Sequence, residues 1–155
     1  MFPGLLPSSL FDADHDTFRE TVRRFVDKVV LPSIDAWEEA ETFPRELYRE
    51  AADLGMLGLG FPEEYGGTPG DLFLELAMIE ELTRAASGGL LASLFSHTIG
   101  APPIVAGGSA ALKARVLPAI LSGEKISALA ITEPSGGSDV ANLATARVRR
   151  HAGST

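Results

Sequence analysis

The feature that most constrains this chain is a change of hydrophobic period at Ser122-Gly123-Glu124-Lys125. Before it, apolar residues recur at three- and four-residue steps, the spacing of helices with one buried face. After it, residues 126–132 are rich in apolar and β-branched types and too short for a helix. Residues 144–150 then alternate Ala144, Ala146 and Val148 against Thr145, Arg147 and Arg149. The pattern predicts an all-helical unit over residues 1–124 and two strands within residues 125–155. Two strands alone are marginal in water, so most of their sheet is expected to lie outside these 155 residues.

Within the helical part, Phe18, Val22, Phe25, Val26, Val29 and Val30 form one apolar face, with Asp16 as the expected N-cap and Pro32 interrupting the run. Residues 33–41 continue helically with Trp37 on the apolar side. Pro44 suits the first turn of a helix carrying Leu47, Ala51 and Leu54, which Gly55 closes. The glycine-rich stretch 57–67 reads as a connecting loop. A helix over residues 71–86 is expected to turn Leu72, Leu76, Ile79 and Leu82 inward. Residues 90–99 are uncharged all round and predict a central helix. Ser109 caps a last helix carrying Leu112, Val116 and Leu117.

Charge excludes some functions. Residues 1–84 carry a net charge of −11 and residues 85–155 one of +3, giving −8 overall. Such a chain has no general electrostatic attraction for a phosphate backbone, so nucleic acid is not an expected partner. The absence of cysteine removes disulfide frameworks, thiolate metal sites and cysteine nucleophiles. Residues 85–112 hold no Asp, Glu, Lys or Arg, yet Gly88, Gly89, Gly100, Pro102, Pro103, Gly107, Gly108 and His97 leave no run of about 20 apolar residues, so no membrane span is expected. The opening Met1-Phe2-Pro3-Gly4-Leu5-Leu6-Pro7 has no basic residue before its apolar ones and reads as neither signal nor transit peptide. A cytoplasmic location is expected.

Several motifs fail on inspection. Asp12-Ala13-Asp14-His15-Asp16 imitates the opening of a calcium loop, but Thr17 stands where glycine is required and Arg23 where a bidentate Glu is required. Acidic residues favouring a helix N-terminus account for it better. Gly58-Leu59-Gly60 lacks the third glycine of a dinucleotide fingerprint, and Ser138 lacks the second glycine of a nucleophile elbow. His15, His97 and His151 are isolated and read as surface or core histidines, so no metal site is expected.

The segment Ala130-Ile131-Thr132-Glu133-Pro134-Ser135-Gly136-Gly137-Ser138-Asp139 is different. A strand ends in a hydroxyl residue, Pro134 stiffens the exit, and two glycines let backbone N–H groups approach a ligand closely. Such a loop can cradle a diphosphate and hold a planar ring against the strand. From composition alone, a solvent-exposed hairpin turn is the alternative.

This segment resembles the signature of the acyl-CoA dehydrogenase family, (Ala or Cys)-x-Thr-Glu-Pro-x-x-Gly-Ser-Asp. Pro62-Glu63-Glu64-Tyr65-Gly66-Gly67 resembles that family's loop between early helices, and the order of elements agrees from Phe18 onward. The resemblance implies a mainly α fold, with an N-terminal orthogonal helical bundle followed by the first strands of a β-barrel-like middle domain. It implies FAD as cofactor and α,β-dehydrogenation of an acyl-CoA thioester. Electrons would pass to an electron-transferring flavoprotein, and the enzyme would be a homo-oligomer, dimer or homotetramer.

Residue by residue, the resemblance puts Thr132 near flavin N5 and O4, where fixed donors stabilise the reduced ring. It puts Leu129 and Ile131 against the isoalloxazine, and Gly137 and Ser138 at the FAD diphosphate. Ser138 also matches a contact to the thioester arm of the substrate. Phe95 and Ile99, with Leu94, could line an acyl tunnel, although core packing is the commoner role of such residues. Glu133 is expected to fix the loop rather than to move a proton.

In the family, a carboxylate from a C-terminal helical domain takes the α-proton, and a tryptophan-containing strand covers the flavin roughly twenty residues beyond the signature. Neither is found here, and Trp37 lies far upstream. No catalytic residue is therefore named, and this polypeptide is not expected to turn over alone. An acyl-CoA oxidase or nitroalkane-oxidase-like flavoenzyme, or a non-catalytic helical subunit of a split flavoenzyme, would carry the same segment.

Overall fold

The computed structural model describes residues 10–145, so the end of the alternating stretch, residues 146–150, and His151 lie outside the described residues. The first helix, α1 (Ala13–Phe25), begins earlier than Asp16 because Asp12 caps it. The Asp12 carboxylate accepts from the N–H groups of Asp14 at 3.0 Å and His15 at 3.1 Å. Asp16 falls instead in the first turn, where its charge meets the helix dipole. A π-helical turn, Val26–Val30, extends α1 toward Pro32 and keeps both Val26 and Val30 buried.

The helix α2 (Ile34–Glu39) follows the proline, and its Trp37 packs half-buried against the core and Phe43. α3 (Glu46–Asp53) buries Leu47, Tyr48 and Ala51, and Gly55 takes the left-handed conformation just beyond its end, at φ +79°. α4 (Leu72–Leu82) is capped by Asp71, whose carboxylate accepts from the N–H groups of Phe73 and Leu74 at 2.9 Å. The core joins α1 and its π turn to α3, α4 and the next helix through Val22, Phe25, Leu47, Met78, Leu82 and Leu94.

Two expectations about buried faces need correction. On α4 the buried residues are Ala77, Met78, Glu81 and Leu82, whereas Leu72 is 64% exposed and Ile79 is 51% exposed. Seven of its eleven residues are large and apolar, so hydrophobicity defines no narrow stripe on this helix. An ion cluster sets its facing instead. Glu81, 4% exposed, accepts Arg23 Nε at 3.0 Å and a terminal nitrogen of Arg23 at 2.7 Å, with Arg84 at 3.3 Å and Arg19 at 3.9 Å. Ala77, without exposed area, lets α1 and α4 approach closely.

The expected central helix over residues 90–99 is divided in two: α5 (Gly88–Leu94) and α6 (His97–Gly100). Ser87 starts α5 by accepting the Leu90 N–H at 3.1 Å. The break at Phe95 and Ser96 turns His97 inward, where its Nε2 donates to the Leu57 carbonyl at 2.8 Å. Leu90 and Leu94 are central as expected, but Ile99 is 63% exposed. α7 (Pro102–Gly107) follows directly, and α8 (Ala110–Leu121) is capped by Ser109 as its sequence predicts. Among the described residues no single helix is long and apolar enough to cross a membrane; α5 with α6 and α7 passes on length and composition only as a pair bent by 45°.

No strand forms among the described residues. Residues 126–132 have no regular structure, and Ile126, Leu129 and Ile131 stay exposed. An extended segment becomes a strand only when a neighbour completes its hydrogen-bond ladder, and no described segment does so here. The helical part of the expected architecture is observed; the opening of a β-barrel is not.

His15 joins two helix starts. Its Nδ1 lies 2.6 Å from the Asp12 carboxylate and its Nε2 3.1 Å from that of Asp71, with Phe11 and Phe73 edge-on to the ring. The bond to Asp71 raises the imidazole pKa above its ordinary 6.5, and Asp12 adds to this against the opposing effect of burial. A raised histidine pKa stabilises fully below pH 6.5, and the contribution is lost as pH rises through the folded value. Both aspartates are held below their ordinary value, so their share is lost only in acid. His15→Asn is therefore expected to flatten the fall in melting temperature as pH rises above about 6.5. Thermal melts across that range check this; equal slopes in variant and wild type would count against the pairing.

Candidate functional site

The segment from Ser127 to Thr145 is attached to the helical body at its start. Ser96 Oγ donates to the Ser127 carbonyl at 2.8 Å, and a side chain on Gly100 would collide with Ser127. This places the residues preceding Leu129 directly against α6, the helix that carries Ile99. Leu129 and Ile131 then leave their side chains exposed.

The chain next makes a tight turn. Glu133 and Gly136 exchange backbone hydrogen bonds of 2.9 and 3.0 Å around Pro134-Ser135. A Cβ on Gly136 would meet open space, and one on Gly137 would touch Thr132 Oγ1 at 3.3 Å. The turn thus sets Gly137 beside Thr132, two of the residues the sequence singles out. Among the described residues nothing takes up the Thr132 hydroxyl or the N–H groups of Gly137 and Ser138. The 3₁₀ turn Val140–Asn142 follows, with Asn142 Nδ2 donating to Asp139 at 2.6 Å.

The Glu133 carboxylate closes the loop. It accepts from Ser135 Oγ at 2.9 Å, the Ala144 N–H at 2.8 Å, the Thr145 N–H at 3.0 Å and Thr145 Oγ1 at 2.6 Å. The Thr145 hydroxyl, then the Ala144 N–H and the Ser135 hydroxyl, favour the anion and lower its pKa to about 2. At any working pH it is an ionised fastener, as the sequence leads one to expect.

The acyl-lining candidates separate. Leu94 is only 1% exposed and belongs to the core. Phe95 is half-buried and lines a cavity of about 630 Å3, together with Met56, Leu59, Phe61, Met78 and Leu91. Ile99 is not among that cavity's lining residues and stands exposed on α6. Sequence reasoning did not find this cavity, because its walls come from the 57–67 loop, α4, α5, α6 and α7 and share no motif. His97 also borders it, between Phe61 and Phe95 at ring separations of 5.8 and 6.1 Å. Burial lowers its pKa and keeps the ring neutral, which matches a satisfied core histidine.

Comparison with known proteins gives a consistent result. The family model described as "Acyl-CoA dehydrogenase, N-terminal domain" matches residues 12–124. The mitochondrial long-chain specific acyl-CoA dehydrogenase of Sus scrofa is 36% identical over 136 residues, which are 88% of this chain and 31% of that protein. A solved Mycobacterium smegmatis chain assigned to the acyl-CoA dehydrogenases superposes with a TM-score of 0.79 at 48% identity, covering 86% of this chain and 35% of that one. The acyl-CoA dehydrogenase of Bacillus anthracis complexed with FAD gives 0.78 at 35% identity, covering 89% and 24%. The chain spans about a third or less of the length of these relatives.

Proposed function

The chain belongs to the acyl-CoA dehydrogenase family, and we propose on that footing that it contributes the N-terminal helical domain, residues 1–124, and the opening of the middle β-domain, residues 125–155, of an FAD-dependent acyl-CoA dehydrogenase. The end of the family match at residue 124 supports this division.

The observation that carries the reading is the loop in which Thr132 and Gly137 stand side by side, closed by Glu133. A planar ring needs an apolar floor with hydrogen-bond donors at its edge. Leu129 and Ile131 are exposed for the first, and the Thr132 hydroxyl is free for the second. Open space at Gly136 and the adjacent N–H groups of Gly137 and Ser138 suit a diphosphate. The residues present therefore fit FAD, which supplies the two-electron oxidation of the acyl Cα–Cβ bond.

This chain's share of the chemistry is binding and orientation. Ser138 is assigned to the diphosphate and to the thioester arm of an acyl-CoA, and Phe95 and Ile99 to the acyl chain. We assign no base here: Glu133 already has a donor at each of its acceptor positions. An electron-transferring flavoprotein as acceptor and assembly into a homo-oligomer belong to the same proposal and rest on family membership.

The test is direct. A protein carrying this chain together with its middle and C-terminal domains should purify yellow and bleach anaerobically with at least one member of an acyl-CoA chain-length panel. A colourless protein that takes up no added FAD overturns the reading.

A further inference from the structure

We propose that Glu133 is the positioning residue of the cofactor loop: by gathering donors from both ends of residues 133–145, its carboxylate sets the shape in which Gly136, Gly137 and Ser138 meet FAD. The proposal rests on the FAD reading above and goes beyond it. It assigns a role to a charged side chain that touches neither ring nor phosphate.

The argument begins with valence. A carboxylate offers about four lone-pair positions. Here Ser135 Oγ and the Ala144 N–H share Oε1, while the Thr145 N–H and hydroxyl share Oε2. All four are filled from within the loop, so none is left to receive a substrate proton. An acid–base role for this conspicuous carboxylate is thereby excluded on geometry.

Topology supplies the second step. The contacts to Ala144 and Thr145 span 11 and 12 residues, while Ser135 is only two away. The enclosed stretch holds two glycines and, apart from the turn Val140–Asn142, no helix or strand. A free segment of that composition samples many conformations, and ordering it on ligand binding would weaken the affinity. Fastening both ends on one anion removes much of that freedom beforehand.

The chemistry also says which substitutions fail. Glutamine keeps the length but replaces one oxygen by an NH2 group, which would face hydrogen-bond donors rather than accept from them. Aspartate keeps the charge but loses the reach to one side. Thr145→Val keeps shape and backbone and removes a single donor, which gives a graded case.

The test uses the full-length flavoprotein. Glu133→Gln should exchange the Ala144 and Thr145 amides at least tenfold faster in the apoprotein and weaken FAD binding, followed by flavin fluorescence, at least tenfold. The visible circular dichroism of bound flavin should change, whereas melting of the helical domain and the acid limb of kcat should not. Thr145→Val should show the same changes at roughly threefold, and it decides the matter if Glu133→Gln does not fold. Faster amide exchange with FAD affinity within twofold of wild type overturns the proposal while leaving the function intact. So does a displaced acid limb, which would mean proton transfer. A wild-type protein that binds no FAD overturns the function and this inference together.

Discussion

Replacing Gly67 by alanine is expected to lower the unfolding free energy by about 3 kcal/mol, roughly 10 °C in melting temperature, whereas Gly66→Ala next to it should cost only about 1 kcal/mol. The two glycines are needed for different reasons. Gly66 is left-handed, at φ +88°, but a Cβ there would meet nothing within 4 Å. Its substitution costs backbone strain alone. At Gly67 a Cβ would overlap the carbonyl of Phe61 and press on the carbonyl oxygen of Pro62.

Those are backbone atoms, and they are held in place. Tyr65 and Gly67 both donate to the Pro62 carbonyl, at 3.0 and 3.1 Å, and Thr68 pairs with Gly58 and Gly60 at 2.8 and 3.1 Å. No flexible side chain can swing aside to make room. Because Leu59, Gly60, Phe61 and Pro62 line the 630 Å3 cavity, the alanine should also deform that cavity. Urea unfolding of both variants checks the contrast; costs within 1 kcal/mol of each other would show that the loop yields easily and that the overlap argument is wrong.

The sequence made some parts of this molecule readable because their cause is local. Caps such as Ser109, the left-handed glycine after α3 and the turn of residues 133–136 are decided by a few neighbouring residues, and all were legible. Asp12, which imitates the first ligand of a calcium loop, caps α1 four residues before the expected Asp16, in keeping with acidic residues gathering at a helix start. The facing of α4 was not legible. An apolar residue at nearly every step gives no period, and the decision falls to Glu81 and to arginines some sixty positions earlier. The break in the uncharged stretch was not legible either; it brings His97 to the carbonyl of Leu57, forty positions earlier. For the site, the residue types around Thr132 could be read as a ligand loop, but their fastening at Thr145 could not, because it reaches across eleven intervening residues. No strand is seen at residues 126–132 among the described residues, for a physical reason: propensity names a candidate strand, and only a partner makes one.

The larger of the electrostatic effects should appear at Glu81. Glu81→Gln is expected to destabilise the protein by about 2–3 kcal/mol, below the 3–5 usual for breaking a buried pair because two of its arginines reach water. The side chains of Arg23 and Arg84 are 47% and 35% exposed. Arg19 keeps Glu80 as a partner and Arg84 keeps Asp27, so the loss is concentrated on Arg23 and on the α1–α4 contact. Burial alone would raise the Glu81 pKa, but the hydrogen bonds and charge of Arg23, with Arg84 and Arg19, outweigh it and hold the group below its ordinary 4.5. A lowered carboxylate pKa stabilises fully above 4.5, and the contribution is lost as pH falls through the folded value. The variant should therefore lose stability at pH 7 and show a shallower decline than wild type below about pH 4.5. Replacing both partners, Arg23→Met with Glu81→Leu, removes the stranded charge together with its counterpart and should recover at least half of the loss. If the double variant is no more stable than Glu81→Gln, packing rather than charge pairing joins these helices.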